Sequence, residues 1–99
     1  MSYDVTVMGE DFNCTSNMGR FFDDFDAYPP DWDGMHRADV AERIERAIAR
    51  IESTSLEDLK SRYDAPSGWG KVENAVEMLK AVHAACVKPA PSEIVGVRH

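Results

Sequence analysis

The chain has 99 residues, of which 43% are apolar and 29% are charged, and its formal net charge is −7. This length predicts a single domain, 1–99, and the composition is typical of a globular protein rather than a disordered chain, a collagen or a membrane protein. No apolar run approaches the roughly 20 residues that span a bilayer, and no basic and apolar leader is visible. Because two cysteines do not make a disulfide framework, we expect reduced thiols and a cytoplasmic location.

The negative charge is concentrated in the first third of the chain. Residues 1–33 contain eight acidic residues and one basic residue, whereas residues 34–99 contain ten of each. This balance disfavours direct binding to nucleic acid or to an anionic membrane surface, since both interactions depend on Lys and Arg. The acidic third fits either a basic protein partner or a solvated face that keeps the protein soluble.

The first predicted element is a strand over residues 3–8. Tyr3, Val5 and Val7 alternate with polar residues, which is the period of a strand with one buried face. Residues 9–11 are expected to break this strand. Residues 13–17 are Asn, Cys, Thr, Ser and Asn, and most of these types suit the capping of a following helix.

A short helix with an aromatic face is predicted over about 16–27. Its apolar residues recur at helical spacing, at Met18, Phe21, Phe22 and Phe25. A Pro-Pro pair then ends the helix, because proline lacks the amide donor and clashes with the preceding turn. Residues 29–36 are predicted to form a loop from which Trp32 and Met35 fold back onto the core.

The two clearest helices are predicted over residues 37–53 and 70–87. Each carries an apolar stripe at the three- and four-residue spacing of a helix with one buried face. The stripe of the first contains Val40, Ala41, Ile44, Ala47, Ile48 and Ile51, and that of the second Val72, Ala75, Val76, Leu79, Val82 and Cys86.

A shorter helix over 56–63 lies between them, and Leu56, Leu59 and Tyr63 are expected to face inward. Residues 64–70 are predicted to form a turn, and residues 93–97 a closing strand with Val95 and Val97 on one face. The element order is therefore β-α-α-α-α-β.

This order predicts a small α+β domain that is dominated by helices. The N- and C-terminal strands are expected to pair in one small sheet and to pack on the helices, because two strands alone are marginally stable in water. The strands and helices alternate too seldom for a doubly wound sheet or a barrel.

The sequence does not present a recognisable catalytic constellation. The histidines are not at zinc-ligand spacing with cysteine, and residues 31–34 match only the middle of a calcium loop. Cys14, just before a predicted helix, is a candidate reactive thiol, whereas Cys86 belongs to an apolar stripe. The Gly-Trp-Gly-Lys run at 68–71 lacks the spacing of a phosphate loop. We expect no catalytic residue, no metal site and no cofactor, and hence no enzyme.

Two motifs together resemble those of a family of small uncharacterised proteins of actinobacteria and their phages, including mycobacteriophages. The first is Asn13-x-Thr15-x-Asn17 before the aromatic helix, and the second is a Pro-x-x-Gly-Trp-Gly turn formed by Pro66, Gly68, Trp69 and Gly70. An Ala-Cys helix end at 85–86 and a closing strand at 93–97 complete the resemblance, which spans residues 13–97. It implies a phage or actinobacterial protein of the cytoplasm and implies no activity. From the residues themselves, glycines beside Trp69 permit a close approach to the core, and the Asn side chains can bind local backbone.

Three functional hypotheses follow. The first is a non-enzymatic, phage-encoded interaction protein that binds a host protein through Asp23, Asp24, Asp26, Asp31 and Asp33 with Phe22 and Trp32. The second is an acidic mimic of nucleic acid that inhibits a DNA-binding host protein. The third is a small-molecule binder that uses Asn13, Thr15, Asn17 and the Gly68-Trp69-Gly70 segment. The aromatic residues are expected to lie mostly in the core, with some at an interface, and a homodimer is compatible with the modest core of so short a chain.

Overall fold

Three strands and four helices make up the fold in a computed structural model, which describes residues 2–7, 9–64, 70–88 and 94–98. In chain order the elements are β1 (Ser2–Val7), β2 (Glu10–Thr15), α1 (Gly19–Asp24), α2 (Arg37–Glu52), α3 (Leu56–Tyr63), α4 (Val72–Cys86) and β3 (Gly96–Arg98). Short 3-10 turns at Ser16–Met18 and Pro29–Trp32 flank α1. The predicted helix-rich α+β class is confirmed.

The sheet has the order β2-β1-β3, and both pairings are antiparallel. The predicted pairing of the terminal strands is confirmed, since Val5 lies opposite Val97. The predicted alternation of β1 is confirmed as well, because Tyr3, Val5 and Val7 are buried and their neighbours are half-buried. The closing strand starts later than predicted: Ile94 forms an isolated bridge to His36, and residue 93 lies outside the described residues.

The second strand, β2, is a correction to the prediction, which ended strand structure at residues 9–11 and gave 13–17 to helix capping. Gly9 has a φ of +81°, in the left-handed region that glycine favours, and the chain turns back there so that Glu10 pairs with Val7. The polar residues of β2 are satisfied across the strands: Asn13 Nδ2 donates to Asp4 Oδ1 at 2.6 Å. Asp and Asn are poor strand formers by themselves, and pairing with β1 overrides that preference.

The predicted helix over 16–27 is shorter in the structure. Thr15 confirms the capping expected in this region, since its Oγ1 accepts from the amide of Asn17 at 3.3 Å. At the other end, Ala27 N donates to Phe22 O at 2.8 Å and Asp26 N to Asp23 O at 3.0 Å. Asp26 itself has a φ of 57°. This is the hydrogen-bond pattern of a Schellman cap, and it ends the helix before the prolines are reached.

The remaining helices follow their predicted stripes. The buried residues of α2 are Val40, Ala41, Ile44, Ala47 and Ile51, and those of α4 include Val72, Ala75, Leu79, Val82 and Cys86. In α3 the prediction is confirmed for Leu59, which is buried, and corrected for Leu56, which is 52% exposed. Trp32 folds back into the core and Met35 packs against it, as predicted for the loop before α2.

Candidate functional site

An open groove of about 900 Å³ lies between β2 and α4. Phe12, Asn13 and Thr15 line it on the strand side. Asn74, Glu77 and Met78 line it on the helix side. Met78 and the neighbouring Cys14 are buried side chains at its floor, whereas Asn13, Asn74 and Glu77 are exposed at its rim. The groove therefore combines an apolar floor with amide and carboxylate groups at the surface.

The groove runs beside the outer edge of the sheet. β2 is the last strand on its side, and no strand among the described residues pairs with its outer edge. The opposite edge is covered, because the segment before α2 bonds to Val95, which directly precedes β3: Gly34 N donates to Val95 O at 2.9 Å, and Val95 N to Met35 O at 2.8 Å. Asp33 Oδ1 also accepts from Val97 N at 3.0 Å. The backbone edge next to the groove is thus left open in the described part of the chain, whereas the far edge is closed.

The groove brings together parts of the two sequence motifs. Asn13, Thr15, Asn17 and Gly70 all line it. Gly70 is buried so closely that a Cβ there would lie 3.2 Å from Asn17 Cβ and 3.2 Å from Met18 Sδ. The expected close approach of a glycine to the core is therefore confirmed at Gly70. A glycine is needed there because a Cβ has no room, and not because the backbone φ is positive. Gly68 and Trp69 lie outside the described residues.

The helix side of the groove is held in place by Asp64, which the sequence analysis did not single out. Its Oδ1 accepts from the amide of Val72, the first residue of α4, at 2.8 Å. This hydrogen bond, followed by the hydrogen bond and charge of Lys60, lowers the pKa of the Asp64 carboxyl. The sequence signal that could have pointed to Asp64 is a polar residue directly after a predicted helix, although its hydrogen-bond partner Val72 lies eight residues further on.

Neither cysteine has the environment of a nucleophile. Both Cys14 and Cys86 are buried free thiols. Burial raises the pKa of each thiol to about 11, so both stay protonated at neutral pH. Cys14 lines the groove, but it lies within strand β2, paired with Tyr3, rather than at the N-terminus of a helix.

Metal-ligating groups are dispersed in the part of the chain that the structure describes, where no cluster of three or more His, Cys, Asp or Glu side chains is found. In the segment that matches the middle of a calcium loop, Asp33 already accepts a hydrogen bond from the Val97 amide.

The residues of the predicted partner-binding segment are not all free to contact a partner. The interaction hypothesis used Phe22 and Trp32 as partner-binding residues, and the structure corrects this part of it. Both are completely buried, because the large aromatic rings fill the space between the sheet and the helices. Asp24 Oδ2 accepts from Tyr63 Oη at 2.6 Å, and Asp33 binds the Val97 amide. All five predicted aspartates are exposed, and the three that accept none of these hydrogen bonds are Asp23, Asp26 and Asp31.

No helix within the described residues is both long enough and apolar enough to cross a membrane. Comparison of the chain with protein-family models, with curated proteins and with solved structures finds no match.

Proposed function

We propose that this protein is a non-enzymatic binding module that takes an extended segment of a partner protein into the groove between β2 and α4. The observation that carries the proposal is the position of this groove along the open outer edge of β2. An extended segment that lies there adds a strand to the sheet, so that backbone hydrogen bonds supply affinity independently of its sequence.

Side chains of the groove would then supply specificity. Successive residues of a strand point to opposite faces, so alternate residues of the bound segment meet the apolar floor at Phe12 and Met78. The residues between them point to the other face of the sheet, where Asn13 lies, while the amide of Asn74 and the carboxylate of Glu77 flank the floor on the α4 side. Polar groups at the rim of an apolar groove fix the register of a ligand more than they add to its affinity.

The acidic third of the chain favours a partner of positive charge. β2 belongs to this third, and the exposed carboxylates of Asp23, Asp26 and Asp31 add to its negative potential. Such a potential increases the association rate of a basic partner without direct contact at every charge. A direct role for the Asp-rich segment, a host protein as partner, a phage origin and a cytoplasmic location stay predictions.

A small molecule is the second candidate occupant of the same groove. Its volume of about 900 Å³ is within the range of small-molecule sites, about 300–1,000 Å³, and its lining mixes amide and apolar groups. Mimicry of nucleic acid is less well supported, since Asp24 and Asp33 bind internal donors and Arg20 lies 3.9 Å from Asp24.

The proposal is tested by selecting random linear peptides on the folded protein and measuring their affinity for two variants. Ala81→Arg places a long side chain in the groove, whereas Ala49→Arg makes the same change at an exposed position of α2 outside it. We expect selected peptides to lose at least about tenfold in affinity with Ala81→Arg and to keep it with Ala49→Arg. Amide resonances of residues 10–15 should shift on binding.

Two results would contradict the proposal. One is that peptides bind the two variants equally well. The other is that no peptide is selected while nucleotides or metabolites raise the melting temperature of the protein and lose that effect in Ala81→Arg, which would assign the groove to a small molecule.

A further inference from the structure

A second cavity, of about 590 Å³, lies on the other flank of α4, where the end of α2 and the helix α3 meet it. We name it the α3 pocket and define it by Ile51, Leu56, Leu59 and Val76 at its floor. Its rim carries Glu52, Glu73, Glu77 and Lys80. Only Glu77 is shared with the groove beside β2, so the two cavities are separated by the ridge of α4.

The floor of the α3 pocket leaves apolar surface uncovered. Ile51 and Leu59 are buried and belong to the core, and Val76 packs partly against it. Leu56 continues this apolar surface outward and is 52% exposed. Leu56 and the buried floor beside it together form a concave apolar surface, into which apolar side chains of another molecule can pack.

The rim of the α3 pocket carries more negative than positive charge. Three carboxylates face one ammonium group, that of Lys80. The Glu73 carboxylate is already bound by the ammonium group of Lys60 from α3. Glu52 and Glu77 form no ion pair with another described residue, so their charges are available to an incoming cation.

We propose that the α3 pocket binds a basic amphipathic helix of another protein. Its walls are helices, and no strand of the described sheet lines it, so an occupant must be held through side chains rather than through backbone pairing. An amphipathic helix presents apolar side chains at intervals of three and four residues to the floor and places Lys or Arg at the rim, opposite Glu52 and Glu77. This site is distinct from the groove beside β2, with which it shares only Glu77.

A second copy of the chain fits the pocket less well than a basic partner does. Each copy has a net charge of −7, and a symmetric contact through this pocket would bring Glu52 and Glu77 of the two copies together. Like charges that face each other oppose association, whereas opposite charges favour it.

The probe is a synthetic amphipathic helix with Leu on one face and Lys on the other, labelled for fluorescence anisotropy and titrated with the full chain. Two control peptides carry Glu in place of Lys, or a central Pro that breaks the helix. We expect binding of the Lys peptide that weakens with salt, and at least about tenfold weaker binding of both control peptides.

Variants of the protein locate the binding site. Leu56→Ala removes part of the exposed floor, and Val87→Ala is its control, because Val87 is similarly exposed at 54% but lies outside the pocket. Glu52→Gln removes a rim charge, and Glu57→Gln removes an exposed charge outside the pocket. We expect Leu56→Ala and Glu52→Gln each to weaken binding about fivefold, and the two controls less than about twofold.

Three outcomes would overturn the proposal. If the Pro peptide binds as tightly as the intact helix, the occupant need not be helical. If the pocket variants and their control variants have equal effects, the binding is general charge attraction and is not located at the pocket. A dimer of the wild-type chain in sedimentation that dissociates in Leu56→Ala would assign the pocket to a second copy.

Discussion

The guanidinium of Arg37, at the first residue of α2, donates to the backbone carbonyl of Cys86, at the last residue of α4, over 2.6 Å. The same Nη1 also donates to the carbonyl of Lys88 at 2.7 Å. The last carbonyls of a helix have no partner within it and carry the negative end of the helix dipole. One side chain therefore caps α4 and ties together two helix ends that are 49 residues apart in the sequence.

Removal of this cap should destabilise the fold. Hydrogen bonds to a charged group contribute about 1.5–3 kcal/mol, so we expect Arg37→Ala to lower the free energy of unfolding by about 2 kcal/mol in urea denaturation. Arg46→Ala, which removes an exposed ion pair with Glu42 at 3.2 Å, serves as the control and should cost no more than about 0.5 kcal/mol. Equal effects of the two substitutions would show that the contact with Cys86 contributes nothing of its own.

The hydrogen bond from Val72 to Asp64 predicts a dependence of stability on pH. The pKa of Asp64 is lowered from its ordinary value of 3.8, so the carboxylate stabilises the fold above that pH and its contribution is lost as the pH falls through the lower, folded-state pKa. We expect Asp64→Ala to cost about 1 kcal/mol near neutral pH and progressively less below about pH 4. Asp23→Ala, at an exposed residue of α1, is the control. If Asp64→Ala lowers the free energy of unfolding by the same amount at every pH down to acid unfolding, the ionised Asp64 carboxylate is not what stabilises the fold.

The close packing of Gly70 on the residues before α1 predicts a loss of stability on adding a methyl group. A Cβ at Gly70 meets Met18 Sδ and Asn17 Cβ, each at 3.2 Å, whereas a Cβ at Gly96 meets nothing within 4 Å. We expect Gly70→Ala to lower the free energy of unfolding by about 1–2 kcal/mol and Gly96→Ala to leave it nearly unchanged. Thermal unfolding of both variants distinguishes overpacking from a general effect of replacing glycine; a Gly70→Ala variant as stable as wild type would show that the contact relaxes freely.

The two thiols should react slowly in the folded protein. With the pKa of Cys14 and of Cys86 raised to about 11 by burial, only about one thiol in a thousand is ionised at pH 8. We expect a colour-forming disulfide reagent to modify both cysteines far more slowly in the native protein than in urea. Single Cys14→Ser and Cys86→Ser variants assign the rates, and fast native labelling of Cys14 would restore it as a candidate nucleophile.

The sequence was most informative where a regular period can be recognised. The stripe from Val40 to Ile51 predicted α2 closely, and the alternation at Tyr3, Val5 and Val7 predicted β1. It was least informative for β2, whose Asp11 and Asn13 do not favour a strand until Thr6 and Asp4 bind them from the neighbouring strand.

The candidate sites were predicted in part. The hypothesis of a ligand site named Asn13, Thr15, Asn17 and the Gly68-Trp69-Gly70 segment. Of these residues, Asn13, Thr15, Asn17 and Gly70 do line one groove, although the hypothesis did not include the α4 side of that groove. The α3 pocket was missed, because Leu56 was assigned to the inner face of its helix. A short helix of eight residues has few positions to define its stripe, and one residue at its end is easily placed on the wrong face.

Residue patterns along the chain were enough to predict the α+β class, the main helices and the pairing of the terminal strands, because these depend on local periodicity and on the need to bury one face of each element. That β2 is the open edge of the sheet and that Gly70 meets Asn17 became evident only from the three-dimensional packing. These features arise from contacts between segments distant in the chain, and no local pattern of residues specifies which segments will meet.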